Sequence, residues 1–363
     1  MNGLSAIKYL SSRRSFYFMF VGLLVFALYL YFFVGFGKIV LVLRGVNPEQ
    51  YALFYSLAIS SIIIGNLFWA ASWRSVLRTL SVNISLKNAF LYFWTGYFVD
   101  LVVPCETVCG EVTRLYLVHR ETNQNLGAIA AGGITNRIVA YIIVVAGVYT
   151  SAVLLFFKSN VSLFILTFLI LVLVGASAYL AVLIYLAFSE RAASRISSLG
   201  VKLLRIIRPK KYRSNNLSTE TMENLAAFYK GFKTFRENPR HLVKPLVFMT
   251  LSFLINLLAY VLVFFALGIQ SQPFTFFIII YFIAGSITDV AASFSVGTLD
   301  ILLASIFILY GLNPALSGIT AGLVRSVTFW FPLILGYVIV QIVGTKKLLA
   351  PKPKKNPLQQ SNS

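Results

Sequence analysis

Residues 88–118, NAFLYFWTGYFVDLVVPCETVCGEVTRLYLV, contain two short apolar stretches at 88–104 and 110–118 with polar and small residues between them. A second pair of this kind lies at 273–294 and 298–311. A helix that crosses the hydrocarbon core of a bilayer needs roughly 20 consecutive apolar residues. Because each pair is interrupted in its middle, we expect two helical hairpins rather than ordinary spans.

The composition indicates that most of the chain lies within a lipid bilayer. Hydrophobic residues make up 58% and charged residues 12% of the 363 residues, whereas soluble domains carry about 25% charged residues. Six other apolar runs are long enough to cross a bilayer. They lie at 16–36, 51–72, 127–157, 161–188, 246–268 and 315–344. We therefore predict an all-α integral membrane protein with about six full spans and two re-entrant hairpins.

The formal charge of +20 comes from basic residues that sit between the spans and near the termini. The clusters are Lys8, Arg13 and Arg14; Arg74, Arg78 and Lys87; many residues of the segment 190–245; and Lys346, Lys347, Lys352, Lys354 and Lys355. Cytoplasmic loops of membrane proteins carry such an excess. We expect both termini on the cytoplasmic side of the plasma membrane, and no nucleic-acid partner.

The charge pattern also divides the chain. Residues 1–345 are predicted to form the polytopic membrane domain, with 190–245 as a basic cytoplasmic loop and 346–363 as a disordered basic tail. Within the loop, residues 191–208 alternate basic and apolar side chains at helical spacing, which is typical of an amphipathic helix on an anionic membrane surface. Anchoring of the topology explains this pattern equally well.

The topology predicts that the hairpins enter the membrane from opposite sides. Spans 16–36 and 51–72 return the chain to the cytoplasm, from which span 127–157 must leave, so the first hairpin enters and leaves on the cytoplasmic face. Counting back from a cytoplasmic C-terminus places the second hairpin on the outer face. Corresponding interrupted segments in two halves of a transporter mark its binding site.

The two halves carry polar residues at matching places, which indicates an inverted repeat. The two acids of each half are 11 residues apart, an arginine follows after 26 or 25 residues, and a glycine follows the arginine after 10 or 11. The matched residues are Asp100, Glu111, Arg137 and Gly147 in the first half, and Asp289, Asp300, Arg325 and Gly336 in the second. Small residues before each arginine favour close helix packing.

A charge at the bilayer centre is costly unless it is paired or faces a cavity. We therefore expect Arg137 to pair with Glu111, and Arg325 to pair with Asp300. Glu111 and Arg114, three residues apart on a helix, also share a face. Such pairs form either a functional polar site or ion pairs that fix helix packing.

The sequence contains few candidate residues for metal binding or catalysis. Cys105 and Cys109 lack the partners of a zinc site, and the usual metalloprotease, phosphate-loop and nucleophile-elbow motifs do not occur. We expect no metal, no cofactor and no enzymatic activity. A lipid-modifying transferase stays the enzymatic alternative, because an acid cluster inside the membrane can carry proton chemistry.

Two motifs resemble the transmembrane flippase-like domain of lysylphosphatidylglycerol synthases, a likeness that covers nearly the whole chain. The motifs are Val103-Pro104 through Gly110-Glu111-Val112-Thr113-Arg114-Leu115 with Asn136-Arg137, and Ser295-Val296-Gly297-Thr298-Leu299-Asp300 with Gly322-Leu323-Val324-Arg325. The chain departs from the family at 105–109, which is more polar, and at Asp300, where a glutamate is usual. No soluble segment is long enough for that family's aminoacyl-transfer domain.

The resemblance implies movement of a charged or glycosylated lipid between leaflets. Arg114, Arg137 and Arg325 would then hold a headgroup phosphate, since guanidinium matches phosphate oxygens. The carboxylates that would balance them are Glu111, Asp300, Asp100 and Asp289. The alternative is a membrane-embedded partner of a separate synthase or glycosyltransferase.

Overall fold

A computed structural model describes Tyr31 and residues 45–102, 108–156, 163–189, 216–291 and 295–348. Some of the predicted features lie outside these residues. They are the span 16–36 apart from Tyr31, the cluster Lys8, Arg13 and Arg14, Cys105, the amphipathic helix 191–208, and the tail from 349 onward.

The described residues are almost entirely helical and contain no β-strand. The helices are α1 (Pro48–Thr79), α2 (Leu86–Val102), α3 (Val108–Thr122), α4 (Leu126–Phe156), α5 (Leu163–Phe188), α6 (Asn216–Glu237), α7 (Val243–Ala266), α8 (Phe274–Ala291), α9 (Ser295–Leu309), α10 (Pro314–Arg325) and α11 (Phe331–Leu348). A 3₁₀ turn, Pro239–Leu242, precedes α7, and a π-helical turn, Ser326–Trp330, joins α10 to α11.

Two helices begin with the same local signature. Asn47 accepts hydrogen bonds from the backbone N–H groups at the start of α1, and Asn313 does the same for Leu316 in α10. A proline, Pro48 or Pro314, follows each asparagine. Asparagine is a favoured N-cap residue, and proline fits the first helical position because its missing N–H would have no partner there.

The described residues contain four helical stretches that are long and apolar enough to cross a membrane: Pro48–Thr79, Leu126–Phe156, Pro239–Ala266 and Pro314–Gly344. They coincide with four of the six predicted spans. A fifth prediction, 161–188, falls on α5, in which Ile170–Tyr185 is a shorter apolar helix. The chain is therefore an all-α membrane protein, and six remains the predicted number of spans.

The predicted hairpins correspond to α2 with α3 and to α8 with α9, and the two helices of each pair pack together. Helix α11 packs on α2, and α8 packs on α4, so each hairpin contacts the long helical segment of the other half. The most extensive packing in the described chain joins α1 to α7.

The matched glycines of the two halves occupy equivalent contacts. Gly336 of α11 lies against Phe98 of α2, whose Cβ is 2.8 Å from where a Cβ of residue 336 would stand. Gly147 of α4 lies against the ring of Phe282 in α8 even more closely. Small residues let helices approach each other in membranes, so both glycines fix the distance between a hairpin and a long helix.

The segment 190–245, predicted as a basic loop, contains helix α6. Phe228 and Phe232 are four residues apart on α6, and they pack against Ala131 of α4 and Leu80. Because most of the segment is polar or charged, these two phenylalanines at helical spacing were not recognised in the sequence as an apolar face. The part 216–237 is therefore helical and docks on α4.

Substitution of Gly127 in α4 by alanine should loosen α6. A Cβ at this position would overlap the backbone carbonyl of Asn224 in α6, so α6 must move even though alanine favours helices by about 1 kcal/mol over glycine. Limited proteolysis should cut Gly127→Ala faster within 216–237. Gly175→Ala is the control, because no described atom lies within 4 Å of its Cβ position. Equal cleavage of both variants would contradict this packing.

Candidate functional site

A buried carboxylate connects the two helices of the first hairpin. Asp100, near the end of α2, accepts a hydrogen bond from the backbone N–H of Gly110 at 2.8 Å through Oδ1. Its Oδ2 lies 3.1 Å from Nη2 of Arg114 in α3. Gly110 is the third residue of α3, where a backbone N–H has no partner within the helix. One carboxylate thus binds both a helix N-terminus and a guanidinium.

Two glycines allow this contact. A Cβ on Gly96 would overlap Nε of Arg114, and a Cβ on Gly110 would overlap the Asp100 carboxylate and the backbone carbonyl of Gly96. Helices α2 and α3 therefore cross with backbone against backbone. The crossing brings Asp100 and Arg114 together in a space that larger residues would fill.

Arg114 is held from three further directions. Its Nη1 donates to Oε2 of Glu111 at 2.8 Å. Its guanidinium carbon lies 5.3 Å from the ring centroid of Trp69 and 5.5 Å from that of Phe93, within the range of cation–π attraction. The side chain is only 4% exposed.

Glu111 also connects Arg114 to Arg137 of α4. Its Oε2 lies 3.5 Å from Nε of Arg137, whose Nη1 donates to the hydroxyl of Tyr179 in α5 at 3.2 Å. The four residues Asp100, Arg114, Glu111 and Arg137 form a chain of alternating charge. Both ion pairs that the sequence predicted for Glu111 are present.

The second half contains the predicted pair of Asp300 and Arg325. Asp300 Oδ1 lies 3.3 Å from Nε of Arg325, and their side chains are 5% and 4% exposed. The guanidinium carbon of Arg325 lies 4.4 Å from the ring centroid of Phe329. Phe329 belongs to the π-helical turn that begins directly after Arg325, and π-helical turns occur often at functional sites.

Both halves of the chain line one cavity of about 270 Å³. Its charged lining consists of Asp100, Arg114, Arg137 and Arg325. Two carboxamides, Asn66 of α1 and Asn256 of α7, also line it. Half of the remaining lining residues are aromatic, namely Trp69, Phe93, Tyr97, Tyr141, Phe253, Tyr260, Tyr281 and Phe282. The result is a polar and aromatic chamber inside an apolar protein.

Six of the seven predicted site residues belong to this arrangement. Asp100, Arg114, Arg137 and Arg325 line the cavity, while Glu111 and Asp300 are ion-pair partners of lining arginines. Asp289 is a residue of α8, but its side chain lies outside the described part of the structure. Their role in binding or translocation stays a prediction.

The sequence contained a further signal for the residues that were missed. Residues 92–100 read YFWTGYFVD and residues 281–289 read YFIAGSITD, so tyrosine, phenylalanine, glycine and aspartate recur at the same spacing. Asn66 and Asn256 precede the aspartates of these motifs by 34 and 33 residues. Extending the comparison of the halves upstream of the acids would have found Phe93, Phe282 and both asparagines.

The chemistry of the lining favours an anion over a metal ion. Within the described ranges, no three His, Cys, Asp or Glu side chains lie close enough together to hold a metal. The acids on and behind the wall are paired with arginines. Guanidinium groups that face a cavity from several sides suit a phosphate or carboxylate.

The profile of a family described as the lysylphosphatidylglycerol synthase TM region matches residues 19–336. The chain belongs to this family. The match covers the cavity and every predicted site residue, and it confirms the resemblance drawn from the two motifs.

A relative of this lysylphosphatidylglycerol synthase TM-region protein is a UPF0104 membrane protein of Methanocaldococcus jannaschii. It is 25% identical over 326 residues, which cover 86% of this chain and 90% of the relative. The likeness therefore extends over nearly the whole membrane domain of both proteins. No solved structure matches the chain.

Replacing Asp300 by asparagine should destabilise the protein strongly. The variant removes a negative charge beside a guanidinium that is almost fully buried, and breaking one side of a buried ion pair costs about 3–5 kcal/mol. Thermal unfolding of the purified protein in detergent measures the loss.

Glu237→Gln is the matched control for this experiment. It removes the acid of the Lys233–Glu237 pair, whose side chains are 71% and 59% exposed, and exposed pairs contribute about 1 kcal/mol or less. If Asp300→Asn and Glu237→Gln melt at the same temperature, the Asp300–Arg325 pair does not hold the second half together.

Proposed function

We propose that this protein moves a phospholipid between the two leaflets of the membrane, with the headgroup in the shared cavity and the acyl chains in the bilayer. The observation that carries the proposal is the convergence of Arg114, Arg137 and Arg325 from both halves of the chain on one cavity of about 270 Å³. The family is described as the membrane region of a lipid synthase, which supports a lipid as the substrate of this site.

The electrostatics of the cavity suit a passing headgroup. A phosphate that leaves water needs charge-assisted hydrogen bonds to replace its hydration, and guanidinium groups supply them in bidentate form. Each arginine also has an acidic partner in the protein, so the charges of the described lining residues and their partners balance. A phosphate must compete with these carboxylates, and we expect this competition to keep binding weak enough for release.

The construction from two halves suggests how a headgroup would reach the cavity from either side of the membrane. We infer an inverted repeat in which α2–α3 enters the membrane from the cytoplasm and α8–α9 enters from the outer face. The paired contacts of α11 with α2 and of α4 with α8 support this arrangement. We place the protein in the plasma membrane with both termini in the cytoplasm, on the basis of its basic clusters.

We also propose that the chain acts as a transporter rather than as an enzyme. The arginines and carboxylates of the described cavity are paired in a way that suits holding an anion and offers no group obviously activated for bond cleavage. The absence of a nucleotide-binding motif in the sequence suggests movement by ion coupling or passive equilibration.

Purified protein in liposomes with a tail-labelled fluorescent phospholipid tests the proposal. Chemical quenching from outside should bleach about half of the label in protein-free vesicles and more than half when the protein moves lipid. Arg325→Gln should slow this movement by about tenfold or more, because a charge-assisted contact contributes about 1.5–3 kcal/mol.

Arg240→Gln is the control, since Arg240 is an exposed cation outside the predicted spans. It should translocate lipid at the wild-type rate. Size-exclusion chromatography must first show that Arg325→Gln is folded. Wild-type rates in a folded Arg325→Gln variant would contradict the assignment of the site, and a wild type that moves no lipid would contradict the function.

A further inference from the structure

The long helical segment of the second half changes its geometry directly after Arg325. The turn Ser326–Trp330 is π-helical, and at its end a backbone N–H bonds to the carbonyl of Ser326 five residues earlier. Pro332 follows in α11. Because proline has no N–H, the bond that a continuous α-helix would make from this position to the carbonyl of Thr328 is missing. Helices bend at such prolines and π-helical turns, so this segment is the place where α10 and α11 can change their relative orientation.

Two consecutive hydrogen bonds hold the start of the turn. The hydroxyl of Ser326 donates to the carbonyl of Leu323 in the last turn of α10 at 2.6 Å. A serine hydroxyl has one proton, so the hydroxyl of Tyr55 in α1, which lies 2.6 Å from Oγ of Ser326, donates the second bond. Leu323 and Ser326 stand on either side of Arg325 in the chain. The two bonds, which we call the Tyr55–Ser326 relay, therefore restrain the backbone before and after this arginine.

Tyr55 belongs to a part of α1 that is fixed firmly to α7. The side chain of Gln50 donates to the carbonyl of Phe265 at 3.0 Å, and the rings of Phe54 and Phe265 meet edge to face at 5.7 Å between centroids. The ring of Tyr51 stacks on that of Tyr55 at 5.3 Å. Helices α1 and α7 also share the most extensive packing in the described chain. The relay thus connects a rigid pair of helices to the irregular turn.

The opposite side of the turn faces the cavity. Arg325, Thr328 and Pro332 line the cavity, whereas Tyr55 and Ser326 are not among its lining residues. A movement of the turn would therefore displace lining groups on one side of the segment, while the hydroxyl groups that restrain it lie behind the wall. Tyr55 acts on the site only through the backbone of this segment.

We propose that Tyr55 is a positioning residue for Arg325: its hydroxyl, acting through Ser326, holds the π-helical turn and so keeps the guanidinium beside Asp300 on the cavity wall. The inference rests on the proposed function, in which Arg325 binds the phosphate, and it adds a residue outside the cavity that controls this arginine. The loss of one neutral hydrogen bond changes a local equilibrium by about two- to tenfold. We expect effects of this size when the relay is broken.

Thiol reactivity tests the position of the turn without any lipid movement. In a variant with Cys105 and Cys109 replaced by serine, Thr328→Cys is combined with Tyr55→Phe, which removes the hydroxyl and keeps the ring. A charged, water-soluble thiol reagent should modify this cysteine about two- to tenfold faster than it does with Tyr55 intact. Ala140→Cys lies on the part of the wall that α4 contributes, and it should react at one rate with either residue at position 55.

Two results of the thiol experiment would overturn the positioning role. One is an unchanged rate at position 328 when the hydroxyl of Tyr55 is removed. The other is an equal change at positions 328 and 140, because this would show that the whole protein has loosened and that the turn has no special dependence on Tyr55.

Lipid translocation tests whether the position of the turn matters for function. Tyr55→Phe should slow the movement of the tail-labelled phospholipid by about two- to tenfold. Tyr51→Phe is the matched control, because Tyr51 stacks on Tyr55 and its hydroxyl has no hydrogen bond to a described residue. Ser326→Ala breaks the same relay. The double variant Tyr55→Phe/Ser326→Ala should be no slower than Ser326→Ala alone, since substitutions within one hydrogen-bond network are not additive.

The outcomes distinguish the inference from the function on which it rests. Wild-type translocation by a folded Tyr55→Phe variant would overturn the importance of the positioning for transport, and additive losses in the double variant would overturn the action through Ser326. No lipid movement by folded wild-type protein would overturn the proposed function, while the thiol reactivities would still decide whether Tyr55 holds the turn.

Discussion

The requirement that a buried guanidinium have an acidic partner governs this structure. Arg114 and Arg325 are almost fully buried in a protein that is mostly apolar, and an unpaired charge at that depth costs several kcal/mol. Their partners Asp100 and Asp300 lie on helices of the two hairpins. The Asp100–Arg114 pair holds the two helices of the first hairpin together. The Glu111–Arg137 and Asp300–Arg325 pairs join each hairpin to a neighbouring long helix, so a hairpin that moved away would leave a buried charge without its partner.

The two halves use this pairing differently, although their motifs match. The first half has the four-residue chain that ends at Arg137, and α4 continues through Arg137 without interruption. The second half has leucine at position 303, where the spacing from the acid would place the counterpart of Arg114. It also has the π-helical turn directly after Arg325. The described site is consequently more highly charged on the side of the first hairpin, and the second half carries the local irregularity in its long helix.

Much of this arrangement follows from the sequence, because its causes are local or strictly periodic. Four described spans, both helix pairs and the partners of Arg137 and Arg325 follow from apolar length, spacing and the cost of buried charge. Helix α6 was missed since its phenylalanines are few among many charged residues, and only docking on Ala131 makes them an interior face.

The neutral part of the cavity was missed for a different reason. Asn66 and Asn256 are isolated carboxamides in long apolar helices, and nothing in their sequence neighbourhood shows that they line one cavity. Their place on a common cavity wall depends on the packing of α1 against α7, which brings together residues 190 positions apart in the sequence. Helix packing of this kind is set by the shapes of many side chains together, whereas an ion pair is forced by its charges.

Cysteine accessibility tests most directly whether the two halves share one polar cavity. In a variant with Cys105 and Cys109 replaced by serine, Ala140→Cys from the first half and Thr328→Cys from the second would place thiols on the cavity wall. Ile142→Cys would place one on the outer surface of α4, where Ile142 is 45% exposed. A charged, water-soluble thiol reagent should modify the two cavity cysteines and not Cys at 142, and added phosphatidylglycerol should slow both cavity reactions together. Unreactive cavity cysteines, or protection of one without the other, would contradict a shared cavity.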